Sequence, residues 1–170
     1  MSASSEPPLW YPTVTDIINI HKDIIEEYPG TEPGIRKRED IAYAVEYVEH
    51  GAFGEVPQSI HQKAFHLLRL LTANHPFVDG NKRTALATVA TFYFLNGYEF
   101  EYDHEIRTVL KTIATDATTV DEAGVLEYLK THSRESDLEN AVEMWRANLV
   151  EEGLDRLREL QNNEGTDEDS

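Results

Sequence analysis

The sequence predicts an all-α protein, a compact bundle of helices. Apolar residues recur at helical spacing over almost the whole chain. Short breaks carrying Gly, Pro or Asn divide that pattern into helix-sized pieces. Hydrophobic residues make up 40% of the 170 positions, enough for a real core and for one domain with an appendage.

Residues 1–12 are rich in Ser and Pro and read as a flexible arm. The main domain is expected over residues 13–132. Thr13 opens its first helix, which carries Val14, Ile17, Ile18, Ile20, Ile24 and Ile25 on helical spacing. The PGTEPG stretch at 29–34 is a loop. A second helix is expected from about Arg38 to His50, through Ile41, Ala44, Val45 and Val48. GAFGEVP at 51–57 breaks it, and the weak alternation of Phe53 with Val56 predicts a short hairpin. A third helix is expected from Pro57, a residue suited to a first helical turn, to a cap at Asn74. After HPFVDG comes TALATVATFYFLNG, apolar nearly all round and therefore expected at the centre of the domain. Two further helices follow near 104–117 and 121–132.

Residues 133–161 read as a C-terminal amphipathic helix, opened by a Ser136/Glu139 capping box and striped by Leu138, Val142, Trp145, Leu149, Leu154 and Leu157. That stripe is read as packing on its own domain, with dimerisation or covering a partner groove as alternatives. Gly153 should weaken a single long helix there. Residues 162–170 read as an acidic tail.

The formal net charge is −17, from 32 acids against 15 bases. A field of that sign repels phosphate backbones and anionic lipid, so no nucleic-acid partner and no membrane surface is expected. The acids are dispersed and only four lie in residues 164–170. Dispersed acidity of this kind suits a salt-rich cytosol and predicts a halophilic source. Cysteine is absent, which excludes disulfides, thiolate metal sites and a Cys nucleophile. MSASSEPPLW has neither a basic nor an apolar leader region, and no apolar run reaches membrane length, so a soluble cytoplasmic protein is expected.

The chemistry concentrates in His75-Pro76-Phe77-Val78-Asp79-Gly80-Asn81-Lys82-Arg83-Thr84. Pro76 biases His75 away from helix, so its ring projects from a loop. Asp79-Gly80 is a turn signal, and Gly80 permits positive φ and close approach of a ligand. The helix that follows offers free N–H groups to an anion. Lys82 and Arg83 sit in its first turn, where the helix dipole disfavours cations, and a bound phosphate would compensate. Taken singly these are an ordinary loop His, a turn Asp-Gly and a solvated Lys-Arg pair. Together they provide a base, a carboxylate for a hard cation, an amide and two cations at one helix start. That set suits phosphoryl or nucleotidyl transfer. No Walker A, GxGxxG or HRD/DFG motif occurs, and the remaining histidines show no metal-binding spacing. His21 lies among apolar residues, either supporting the site loop or as a satisfied, half-buried core histidine.

HPFVDGNKR resembles the signature of the Fic/Doc superfamily, H-x-F-x-[DE]-x-N-x-x-R. Its Asn81-Lys82-Arg83 ending is similar to the death-on-curing (Doc) branch, H-x-F-x-D-[AG]-N-K-R. Ile20-His21-Lys22-Asp23-Ile24-Ile25 and Pro33-Gly34-Ile35-Arg36 look like the Doc N-terminal pattern, with Pro29-Gly30 where Gly-Gly is usual. The resemblance covers about residues 13–132 and implies a Fic/Doc helical bundle with a short flap hairpin.

It implies His75 as general base towards a Ser or Thr hydroxyl of a protein, and Asp79 as the Mg²⁺ ligand. Gly80, Asn81, Lys82 and Arg83 would bind nucleotide phosphates, with Arg83 also stabilising the transferring group. Phe77 would anchor the loop. Gly51, Ala52, Phe53, Gly54, Glu55 and Val56 would form a flap that clamps the target peptide by strand addition. AMP-transferring relatives carry Gly where this chain has Lys82. The lysine implies that ATP binds the other way round and gives up its γ-phosphate. The implied function is a toxin of a toxin–antitoxin pair that phosphorylates a translation elongation factor and is inhibited in trans by a small antitoxin. AMP transfer, and a non-catalytic binding module keeping the fold, are the alternatives. The self-inhibitory pattern [ST]-x-x-x-E-[GN] is absent.

Overall fold

The computed structural model describes residues 8–164. Residues 1–7 of the expected arm and 165–170 of the expected acidic tail lie outside the described residues. Internal contacts divide the chain into a unit ending at Glu135 and another beginning at Ser136.

The first unit is built by helices whose ends are written locally. Helix α1, Val14–Glu27, starts at a complete capping box: Thr13 Oγ1 accepts from the Asp16 N–H and the Asp16 carboxylate accepts from the Thr13 N–H. It buries Ile17, His21 and Ile24 on one stripe. Helix α2, Arg38–His50, buries Ile41, Ala44 and Val48. Helix α3, Ile60–Ala73, begins three residues later than the sequence suggests. Ser59 and Gln62 form a second complete capping box, which outcompetes the Pro57 start signal. Its C-terminal cap is Asn74, as expected, in a right-handed conformation, and the next residue, His75, turns to positive φ, 46°.

Helix α4, Asn81–Leu95, is the central one, as expected. It buries Thr84, Ala85, Thr88, Val89, Phe92 and Tyr93. A strand β1, Tyr98–Phe100, follows. Then come α5, Glu105–Thr115, a 3-10 turn at Ala117–Thr119, α6, Glu122–Thr131, and a strand β2, Ser133–Glu135. The two strands pair antiparallel, Tyr98 with Glu135 and Phe100 with Ser133. This small sheet is absent from the sequence reading. It carries the first unit past residue 132, the boundary expected from sequence, to Glu135.

Helix α3 packs against α2, α4, α5 and α6, and α1 packs against α4. The core is therefore layered around α3 and α4, with Phe65, Leu67, Leu68, Leu71, Phe92, Tyr93 and Leu129 essentially inaccessible. Burying each such side chain contributes about 1.5–3 kcal/mol. Residues 10–12, expected within a flexible arm, are pinned to this core. Asn96 at the end of α4 clamps the Trp10 backbone: its Oδ1 accepts from the Trp10 N–H at 2.8 Å and its Nδ2 donates to the Trp10 carbonyl at 3.0 Å.

The second unit is helix α7, Leu138–Glu164, which runs unbroken through Gly153. The expected Ser136 cap is replaced by Asp137, whose carboxylate accepts from the Glu139 N–H at 3.1 Å. Among the described residues no helix is long and apolar enough to cross a membrane.

Candidate functional site

The loop between α3 and α4 carries the motif residues, and its shape follows from contacts far away in sequence. The 29–37 loop runs beside it. The Arg36 and Lys37 N–H groups both donate to the Pro76 carbonyl, at 2.7 and 3.1 Å, and the Val78 N–H donates to the Gly34 carbonyl at 3.0 Å. Ile35 and Phe77 form a β-bridge. Gly34 has φ 136°, and a Cβ there would lie 2.8 Å from Val78 Cγ2, so the approach of the two loops requires glycine. Phe77 is 1% exposed and anchors the loop in the core.

His75 leads this loop in a left-handed conformation, uncommon for a residue with a Cβ and tolerated where the surroundings over-determine it. Among the described residues nothing hydrogen-bonds its ring, which lines a cavity of about 420 Å³ together with residues 78–83. Asp79 is exposed, but its carboxylate is held: Oδ2 accepts from the Glu32 N–H at 3.1 Å and Oδ1 from the Gly80 N–H at 2.8 Å. The Glu32 N–H first, then that of Gly80, with a further contribution from Arg83, keep this carboxyl below the usual carboxylate range. It is an anion at any neutral pH.

Gly80 is the N-cap of α4 in a left-handed conformation, φ 75°, and no side chain caps the helix. The α4 start thus differs from those of α1 and α3, whose first turns are closed by their own side chains. An anion in the cavity meets this positive helix end. Lys82 and Arg83 are exposed beside it. The Arg83 guanidinium rests on the Tyr28 ring at 3.9 Å, a cation–π contact that holds the side chain out over α1. On the far side of Lys82 and Arg83 lies a groove of about 990 Å³ between α1, α4 and α5, to which Arg107 and Lys111 add two more cations. In a chain of net charge −17, these four bases outnumber the two acids of the same groove, Glu27 and Asp103, and reverse the sign locally.

Of Asn81, expected to bind phosphate, the side chain is engaged elsewhere. Its Oδ1 accepts from the Phe77 N–H at 2.9 Å and its Nδ2 donates to the Phe77 carbonyl at 3.0 Å. Here the amide staples the loop to the helix and leaves the backbone to face an anion.

The flap residues sit apart. Ala52 and Glu55 exchange two backbone hydrogen bonds, both 3.0 Å, around Phe53 and Gly54, which have φ 54° and 80°. The expected hairpin is this single bridge with a tight turn of positive φ at both central residues. Gly54, Glu55 and Val56 line a cavity of about 370 Å³ with His66, and among the described residues no flap residue lines the cavity at His75.

Sequence reasoning missed the Glu32, Gly34, Tyr28 and Thr84 contributions. It left His21 with two readings. The His21 side chain is 3% exposed, its ring stacks on Phe77 at 3.7 Å and 11°, and Nδ1 lies 2.9 Å from Thr84 Oγ1. Its Nε2 is buried without a hydrogen-bond partner, so it is not a satisfied histidine. An unpaired buried polar atom costs about 1–3 kcal/mol. Burial pushes its imidazole down, opposed by the charge of Asp79.

A magnesium ion fits this donor set. One ionised carboxylate with open lone pairs, next to cations and a free helix start, is the way Mg²⁺ is held when substrate phosphates supply its other oxygens. Among the described residues no cluster of three or more His, Asp or Glu forms an all-protein metal cage.

The site is thus of one class: a loop histidine, a held carboxylate and a basic helix start that no side chain caps, in an all-α domain. Comparison with known sequences sharpens that class. Residues 11–93, just under half of the chain, match the model of the Fic/DOC family. A protein of Mycolicibacterium smegmatis named Toxin Doc is 48% identical over 44 residues, which are 26% of this chain and 34% of that protein. The chain thus spans about a third of the length of that curated relative.

Proposed function

We propose that this chain is a Doc-type toxin that transfers the γ-phosphate of ATP to a Ser or Thr hydroxyl of a protein, a translation elongation factor by family resemblance. A small antitoxin would restrain it in trans. The observation that carries the reading is the cavity at the start of α4. There a His75 ring without hydrogen-bond partners faces the same space as the fixed anion Asp79, the left-handed Gly80 cap and the cations Lys82 and Arg83.

The roles follow from that arrangement. The α4 N–H groups and the two cations bind and orient the phosphate chain and offset its charge. Asp79 would hold the Mg²⁺, which screens the phosphate oxygens when bound. His75 accepts the proton of the target hydroxyl as that oxygen bonds to the γ-phosphorus and the bond to the β-phosphate oxygen breaks, releasing ADP. Arg83 swings from the Tyr28 ring to the transferring group. The basic groove beyond Lys82 takes the nucleoside end. Asn81 and Phe77 keep the loop in register. The flap turn around Phe53 presents an edge to the target peptide.

The test uses purified protein with Mg²⁺, high KCl and host lysate, and ATP labelled at either the γ- or the α-phosphate. A protein band labelled from the γ-position, lost in His75→Ala, is expected. A band labelled from the α-position means adenylylation, in spite of Lys82. No label from either points to another nucleotide donor, and failing that to a binding role.

A further inference from the structure

We propose that His21 is a positioning residue for this site, setting the first turn of α4 against the loop that carries His75 and Asp79. Its effect on activity rests on the function proposed above; its effect on the loop does not. The ring touches three parts of the site at once. It stacks on Phe77 at 3.7 Å, bonds Thr84 through Nδ1 at 2.9 Å, and brings Cε1 to 3.6 Å from where a Cβ on Gly80 would stand. Loop anchor, helix cap and first helical turn are therefore keyed to one side chain of α1.

A residue that only filled this space would be better made of carbon. His21 is 3% exposed, and among the described residues its Nε2 finds no partner. Phe would keep the stack on Phe77 and leave no orphaned nitrogen. The histidine therefore costs stability and returns only the Nδ1 bond to Thr84, a contact that fixes the α4 start in rotation and height. Thr84 itself is 1% exposed, and among the described residues its hydroxyl has no hydrogen-bond partner besides His21. Residues retained at a cost to stability mark function more often than packing.

The prediction is a separation of stability from site order. His21→Phe preserves the ring and removes Nδ1. Thr84→Val preserves shape and removes the hydroxyl, and Thr84→Ser restores it. We expect His21→Phe to melt near the wild-type temperature, since it removes one buried unpaired atom, Nε2, and leaves another, the Thr84 hydroxyl. Backbone amide exchange across residues 77–84 should quicken about tenfold, and kcat should fall about tenfold with KM changed less than about twofold. Thr84→Val should match it and Thr84→Ser should return to wild type. Wild-type exchange in both His21→Phe and Thr84→Val would overturn the proposal, as would exchange that rises only in step with a lowered melting temperature. If His21→Phe does not fold, the Thr84 pair decides. If wild type transfers no phosphate, the functional reading fails while amide exchange still decides this one.

Discussion

The site loop and the flap make the same local demand and meet it differently. Each bends through a residue that carries a Cβ at positive φ, His75 at 46° and Phe53 at 54°. The site loop is over-determined. Two N–H groups grip the Pro76 carbonyl, Gly34 takes Val78, Asn81 staples Phe77, and the Phe77 ring is buried against His21. The flap turn is closed by the Ala52–Glu55 bridge, is tied to its neighbours only where the Gly51 N–H donates to the Tyr47 carbonyl and Gln58 Nε2 to the Val56 carbonyl among the described residues, and leaves Phe53 fully exposed. Strain supported from several directions can hold a reacting group in place, whereas strain closed locally leaves a segment free to adapt to a partner.

Substitutions can break or sharpen this contrast. The largest effect is expected for Phe77→Ala, which removes the loop anchor from the core and should lower unfolding free energy by about 3–5 kcal/mol in a denaturant titration. Gly34→Ala comes next. Its Cβ meets Val78 Cγ2 at 2.8 Å at φ 136°, and about 2 kcal/mol of destabilisation is expected. Gly54→Ala in the flap has open space, so only the positive φ of 80° counts, at about 1 kcal/mol. Equal losses at the two glycines would remove the distinction between the loops.

Acid should act on the flap side. Burial, with Arg69 adding, pushes the His66 imidazole down to about 4. The unfolded chain binds a proton near pH 6.5 and the folded one does not until about pH 4, so stability is lost as pH falls through that window. Allowing for partial solvent screening, the loss is about 1–2 kcal/mol. It should shrink in His66→Gln. His21 and His61 are shifted in the same direction by burial. Asp79 is instead held below the usual carboxylate range by the Glu32 and Gly80 N–H groups.

The smallest effects separate the two strained residues by function. Phe53→Gly and His75→Gly should each relieve strain and gain up to about 1 kcal/mol in thermal unfolding. Phe53→Gly should spare nucleotide binding and weaken target capture, whereas His75→Gly should abolish transfer.

The sequence carries most helices and the motif because both are local patterns. α1, α2 and α4 follow apolar spacing, and residues 75–84 are contiguous. What it hides is non-local or a contest between local signals. Pro57 and Ser59 both signal a helix start, and the side-chain cap wins. β1 and β2 are three residues each, too short for a period, and they meet across more than thirty residues of chain. The grip of Glu32 on Asp79 and of Arg36 on Pro76 uses backbone N–H groups, which leave no trace in residue type. The Asn81 amide turns inward to Phe77 because the loop backbone needs partners there, a demand that composition does not reveal.

The central claim is that the α4 start with His75 transfers a phosphoryl group. Intact-protein mass spectrometry of the target protein, incubated with Mg²⁺-ATP and either wild type or His75→Ala, tests it most directly. The account predicts a gain of one phosphoryl group with wild type and none with the variant. A gain of an adenylyl group, or a phosphoryl gain that survives in His75→Ala, would contradict it.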